Sequence, residues 1–182
     1  VIYAERNKIL DGKDLMELIE TVTASTTQRI CEEFCYGDAD EWDLEGLEKW
    51  LTELTGKTDL PEFTEDTKFE QLEEDVTAFV QKTFDEKTQK LGEEVMRELA
   101  AQVMLRVIDT RWMAYLQEMD YLKTGIGLRG FGQRDPLVEY KTEAYEAFTL
   151  LVNTMYEDFL RTILRLELVN RPRQNTEAEA FQ

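Results

Sequence analysis

Three groups of side chains in this sequence have types and spacings that could do chemistry: two cysteines, a scatter of carboxylates, and an aromatic ring within a glycine-rich segment. Cys31 and Cys35 stand four residues apart, on one face of a helix, in a chain of 182 residues that has no histidine. Two thiolates alone do not fill the tetrahedral shell of zinc. The pair therefore reads either as free thiols of a reduced compartment or as half of a site completed elsewhere. Lack of an imidazole also removes the Ser-His-Asp and Cys-His nucleophile systems and the Glu-x-x-His ligands of di-iron bundles. Among the carboxylates, Asp109, Glu118 and Asp120 are the candidates for an enzymatic site, but they do not share one helical face, and 109 and 120 are three turns apart. No catalytic residue and no metal ligand is assigned.

The third group is Lys123-Thr-Gly-Ile-Gly-Leu-Arg-Gly-Phe-Gly-Gln-Arg-Asp-Pro136, with four of the chain's nine glycines in eight residues. Gly125, Gly127 and Gly130 satisfy G-x-G-x-x-G. That motif binds dinucleotides only where it follows a strand and opens a helix, and here a helical pattern precedes it. A turn between helices explains the glycines but not Ile126, Leu128 and Phe131, nor the polar company of Arg129, Gln133 and Arg134. From Tyr121 to Lys141 there are four basic residues against two acidic ones, a positive island on a chain of net charge −18. Burying a Phe side chain is worth about 1.5–3 kcal/mol, and a hairpin tip has little of its own chain to bury it against. Two readings stay open: the tip contacts a partner, or it folds back on its own helices.

The elements that position these groups are helical. With nine glycines, three prolines and 42% apolar residues, turn-dense β architectures and wholesale disorder both fit poorly. The surplus of 39 acidic over 21 basic residues excludes nucleic-acid binding through bulk charge. No apolar run approaches a membrane span. The chain opens without Met in what reads as the end of a helix (residues 1–11), as expected of a piece of something larger. A helix over about 13–35 carries Leu15, Leu18, Ile19, Val22, Ile30 and Phe34, with a weak polar middle at Thr23–Thr27. Asp43 caps a short helix bearing Leu44, Leu47, Trp50, Leu51 and Leu54, which Gly56 ends. Another follows over about 67–90 with Phe69, Leu72, Val76, Phe79, Val80 and Phe84. Between Asp38 and Asp75 stand 15 acidic residues against three basic ones, either a solvated face or a docking surface for a basic partner.

Beyond Gly92, Met96, Leu99, Val103, Val107, Trp112, Leu116, Met119 and Leu122 predict one long amphipathic helix to about Lys123. Asp135-Pro136 starts the next, whose stripe is Tyr145, Phe148, Val152, Met155, Phe159, Ile163 and Leu166. Two stripes of similar length about a short break predict an antiparallel helical hairpin. The fold class is all-α: a small helical domain over 12–92, a long hairpin over 93–168, and a polar tail over 169–182 expected to be disordered.

Met104-Leu-Arg-Val-Ile-Asp-Thr-Arg-Trp112 and Met119-Asp-Tyr-Leu-Lys-Thr-Gly-Ile-Gly-Leu-Arg-Gly-Phe-Gly-Gln-Arg-Asp-Pro-Leu-Val-Glu-Tyr140 closely resemble the C-terminal part of the SecA family, ATP-driven motors of bacterial preprotein translocation. Tyr3-Ala-Glu-Arg6 through Ile9-Leu10 resembles the end of that family's scaffold helix. The resemblance implies that 12–92 is the helical wing and 93–168 the scaffold's two-helix finger. It further implies a non-catalytic part that couples the motor's conformational change to the SecY (SecYEG) channel and an unfolded preprotein. In that picture Phe131 occupies the tip position that touches the passing chain, with Ile126, Leu128, Arg129, Gln133 and Arg134 around it. Trp112 would contribute to packing that regulates the ATPase, although ordinary seam packing is the first account of it.

The same resemblance places the protein in the cytoplasm, peripheral at the anionic inner face of the plasma membrane, with the rest of the motor as a partner and ATP and Mg held in the parent's motor domains rather than here. No Gly-x-x-x-x-Gly-Lys-[Ser/Thr] occurs in this chain, so no cofactor is expected in it. Where the family commonly has Trp-x-x-His-Leu, this chain has Trp112-Met-Ala-Tyr115-Leu116, and the family's Cys-rich zinc segment is missing. An exposed stripe leaves room for a homodimer. The rival reading is a generic helical adaptor that binds through its acidic face and uses the hairpin as a spacer.

Overall fold

A computed structural model describes residues 15–64, 66–129 and 135–167; the expected helix end over 1–11 and the tail over 169–182 lie outside them. The described residues form five α-helices and no strand: α1 (Leu15–Phe34), α2 (Leu44–Thr55), α3 (Phe69–Leu91), α4 (Glu93–Arg129) and α5 (Pro136–Arg165), with one 3-10 turn at Ala39–Glu41. The protein is all-α, as its sequence pattern implies.

Local chemistry sets the boundaries. The Asp43 carboxylate accepts from the Gly46 N–H at 2.9 Å and starts α2, satisfying one of the donors that a helix leaves unpaired. Gly56 ends that helix in the left-handed region at φ 73°, its N–H donating to Thr52 O. At the second hairpin helix the Asp135 carboxylate accepts from Leu137 N–H at 3.0 Å, with Pro136 in the first turn. The far end of α5 is stabilised across the fold, because Lys87 of α3 donates to the Leu164 carbonyl at 2.7 Å, placing a cation where the helix dipole is negative.

Three expectations are corrected. First, α4 does not stop near Lys123. It continues through Gly125 and Gly127 to Arg129, since two glycines weaken a helix by about 1 kcal/mol each without removing a backbone donor, and the buried Ile126 between them offsets that cost. Second, the buried line of α4 is Met96, Ala100, Met104 and Ile108, one residue round from the expected Leu99, Val103 and Val107, which are half-buried on its flank. The small Ala100 lets neighbouring backbones approach, so packing sets the phase. Third, the polar middle of α1 is interior: Thr23, Thr26 and Thr27 are all buried. Thr27 donates back to the Thr23 carbonyl at 2.9 Å, and its Oγ1 lies 2.7 Å from Thr77 Oγ1 on α3. The hydroxyls of Thr23 and Thr26 find no partner.

α4 and α5 make the most extensive helix pair, and they are antiparallel. Arg111 pairs with Asp158 at 2.6 Å, while Tyr115, farther along α4, meets Phe148, farther back along α5, edge to face at 6.1 Å. One continuous core joins the base of this hairpin to α1, α2 and α3, with Phe84, Met96, Phe159, Leu160 and Ile163 among its fully buried members. A polar node lies beside it. Glu157 of α5 accepts from Arg29 of α1 at 3.0 Å, from Trp50 of α2 at 3.1 Å and from Arg161 at 3.3 Å. Burial pushes this carboxyl up, but the hydrogen bonds from Trp50 and Arg29 and the charges of Arg29 and Arg161 outweigh it and hold it below its ordinary value of 4.5.

Two stability predictions follow from these contacts. Thr26→Val removes an unpaired buried hydroxyl at nearly constant shape, and should raise the unfolding free energy by about 1 kcal/mol in a urea melt. Glu157→Gln should lower it by about 1–2 kcal/mol at pH 7, because it removes the charge partner of Arg161 and the nearer of two charge partners of Arg29, the other being Glu33 at 3.8 Å. A carboxyl whose folded value is depressed stabilises above its unfolded value and loses that contribution as the pH falls through the folded one. The gap between Glu157→Gln and the unaltered chain should therefore narrow in melts below pH 4.5.

Candidate functional site

A helix rises 1.5 Å per residue, so α4 is about 55 Å long and α5 about 45 Å. The buried line of α4 ends at Ile108 and resumes only at Ile126, and that of α5 begins at Leu151. The rest of each helix forms a distal half-hairpin that, among the described residues, is covered chiefly by its partner helix. Its apolar residues are far from covered. Of nine exposed large apolar side chains among the described residues, seven stand here: Met113, Leu116, Tyr121, Leu137, Val138, Tyr145 and Leu150. Tyr121 is 84% exposed and Tyr145 74%. A shallow groove between the helices passes Ala114, Glu118, Ala147 and Leu150, then Met119, Leu122 and Gly125. Small alanines on both walls hold it open.

Within this half the aromatic residues form a ladder. Trp112 stacks on Tyr115 with centroids 5.2 Å apart and planes at 25°, and Tyr115 meets Phe148. Burial, with Tyr140 and Glu118 nearby, pushes the Tyr115 hydroxyl up, so it stays protonated at neutral pH. Trp112 is half-buried against the core's margin, a placement that serves seam packing.

The residues singled out at the tip are placed unequally. Ile126 is 7% exposed, which matches folding back more than open contact for that one side chain. Leu128 and Arg129 are the last described residues of α4. Phe131, Gln133 and Arg134 lie outside the described residues. Asp109, Glu118 and Asp120 are not brought together, and among the described residues no group of three His, Cys, Asp or Glu side chains could hold a metal ion. Cys31 and Cys35 are free and buried. Burial above all, then Cys35, Glu73 and Glu32, pushes the Cys31 thiol up to about 12, which leaves it neither ligand nor nucleophile at neutral pH.

Sequence reasoning missed the exposed ring of Met113, Tyr121, Leu137, Val138 and Leu150. The signal was present: eight of the eleven residues from Trp112 to Leu122 are apolar, more than a single seam can use. A helix that is apolar on all sides has a second surface to cover.

Comparison with known proteins agrees in extent. The profile of the SecA Wing and Scaffold domain matches residues 1–167. The chain is 37% identical to the protein translocase subunit SecA of Syntrophomonas wolfei over 182 residues, covering 96% of this chain and 21% of that protein. It is 36% identical to that of Halothermothrix orenii over 94% of this chain and 20% of the relative, and 37% identical to that of Cutibacterium acnes over 94% and 19%. The chain thus spans about a fifth of the length of the curated relatives it matches.

If the distal face is free surface, the double change Tyr121→Ser, Tyr145→Ser should shift the unfolding free energy by no more than about 0.5 kcal/mol. Phe159→Ala, at the base, should lower it by about 3–5 kcal/mol. Urea melts of the two variants check the contrast; a large loss from the tyrosine pair would mean that the distal half is covered.

Proposed function

The chain belongs to the SecA wing and scaffold family, and from that premise we propose that it is the non-catalytic helical part of a protein-translocating ATPase, whose distal hairpin carries the motor's movement to the channel and the passing polypeptide. The observation that carries this reading is the concentration of exposed apolar side chains on the distal half of α4 and α5. A pair of helices anchored at its base by a close-packed core can transmit a displacement from base to tip, because such cores and hydrogen-bonded helices hardly compress. Apolar rings suit a substrate of no fixed sequence, since dispersion and the hydrophobic effect require no particular hydrogen-bonding partner.

In this reading Phe131, flanked by Arg129, Gln133 and Arg134, is the tip that presses on the preprotein, and the SecY channel is the surface that receives the hairpin. Leu128 and the distal tyrosines widen that contact. Ile126 is assigned a different role, as the buried peg that keeps the last turns of α4 helical. Trp112 and its stack on Tyr115 stiffen the hairpin where it leaves the core, which is where packing on the motor domains would be sensed. ATP and Mg belong to the rest of the parent protein, and the working place is the cytoplasmic face of the bacterial plasma membrane, reached peripherally.

The test is made in the full-length protein. Phe131→Gly should reduce transport of a preprotein into membrane vesicles about tenfold or more, the equivalent of about 1.4 kcal/mol of lost contact, while ATP hydrolysis changes by less than about twofold. Transport at the unaltered rate would contradict the proposal and favour the adaptor reading, in which the tip touches nothing that moves.

A further inference from the structure

Two glycines stand in the last turns of α4 where nothing around them calls for glycine. The helix runs through Gly125 and Gly127 to Arg129, and neither has the positive φ seen at Gly37, Gly56 and Gly92. A Cβ at either position would meet open space. Residues two apart also point to different faces of a helix, so no single neighbour is served by both: Gly125 lines the groove toward α5, while Gly127 is exposed. What the two share is a low preference for the helix in which they stand.

Against that bias stands one side chain. From Tyr121 to Gly127 only Ile126 is buried, and it stands apart from the continuous core, whose last buried residue on α4 is Ile108. Thr124 donates to the Asp120 carbonyl at 3.0 Å, a bond that closes within the same helix and ties nothing across the hairpin. The end of α4 thus rests on two opposed contributions of similar size. Burial of one apolar side chain holds it helical, and two glycines favour uncoiling.

We propose that Gly125–Arg129 is a helix-to-coil switch at the end of the hairpin, which uncoils when the hairpin engages a polypeptide. Its working role rests on the proposed reading of the hairpin as a transmitting arm. The segment rises about 7 Å as helix and reaches about 17 Å when extended, so uncoiling gives the end of α4 about 10 Å of further reach. It also frees Ile126, which the helical form keeps buried, to be covered by the polypeptide instead. Engagement therefore favours the uncoiled form through a contact that the helical form withholds, as any ligand-driven shift requires.

Hydrogen exchange of the full-length protein, followed by mass spectrometry on peptides covering 121–129 and 112–120, tests the switch itself. The first stretch should exchange about tenfold faster than the second, which is equally helical but has no glycine. Gly125→Ala with Gly127→Ala fits the open space at both positions and should slow exchange over 121–129 about tenfold or more, whereas Ile126→Ala should speed it. Transport of a preprotein into membrane vesicles should be about fivefold slower or more with the alanine pair, which holds the helical form. Equal exchange in the two stretches, or exchange unmoved by the alanine pair, would overturn the proposal. So would full-rate transport by an alanine pair whose exchange has slowed. If Phe131→Gly still impairs transport in that case, the switch falls and the reading of the tip stands; normal transport by Phe131→Gly sinks that reading, and the switch's working role with it.

Discussion

The structure depends on a mismatch of length: two helices of 37 and 30 residues are anchored by a core that reaches only part of the way along them. Met96, Ala100, Met104 and Ile108 share that core with Met155, Phe159 and Ile163, and among the described residues what lies beyond is held chiefly by the partner helix. The energy that orients the hairpin therefore comes from its base. Full burial of each such side chain contributes about 1.5–3 kcal/mol, whereas half-buried pairs such as Tyr115 and Phe148 contribute a fraction of that. A lever with a well-packed root and a sparsely packed arm is the mechanical result.

The root is tied to α1 and α2 by a different kind of bond. Glu157 collects donors from α1, α2 and its own helix at one carboxylate, and Lys87 of α3 closes the end of α5. These contacts are directional where the apolar core is not, so they fix the angle between the acidic helices and the hairpin. The acidic surplus, concentrated away from the core, keeps that body solvated and leaves its charges available to a partner.

Much of this was legible in the sequence because it is local. Asp43, Gly56, Gly92 and Asp135-Pro136 act within a few residues of where they stand, and the presence of two long helices, though not the line each buries, needed only the helical period. What was hidden is non-local. Arg29 and Trp50 lie 128 and 107 residues from Glu157, and nothing in their own neighbourhoods announces the meeting. The threonines of α1 look like a weak helix centre until α3 supplies Thr77. The register of α4 was misjudged by one residue because the helix is apolar on both sides of that line and its neighbours choose between them. Glycine at 125 and 127 reads as a break, yet a buried Ile126 carries the helix past both. At the candidate site the apolar excess from Trp112 to Leu122 was visible, but which of those side chains would be left uncovered depended on where the core ends.

The most direct test is a photo-cross-linker at position 121, on the exposed distal face of α4, in the full-length protein while a preprotein is being transported. The account predicts adducts with the channel or with the moving polypeptide, appearing only when transport is engaged. Adducts confined to the protein's own residues, unchanged by engagement, would show that the distal hairpin is sheltered within its parent and would contradict it.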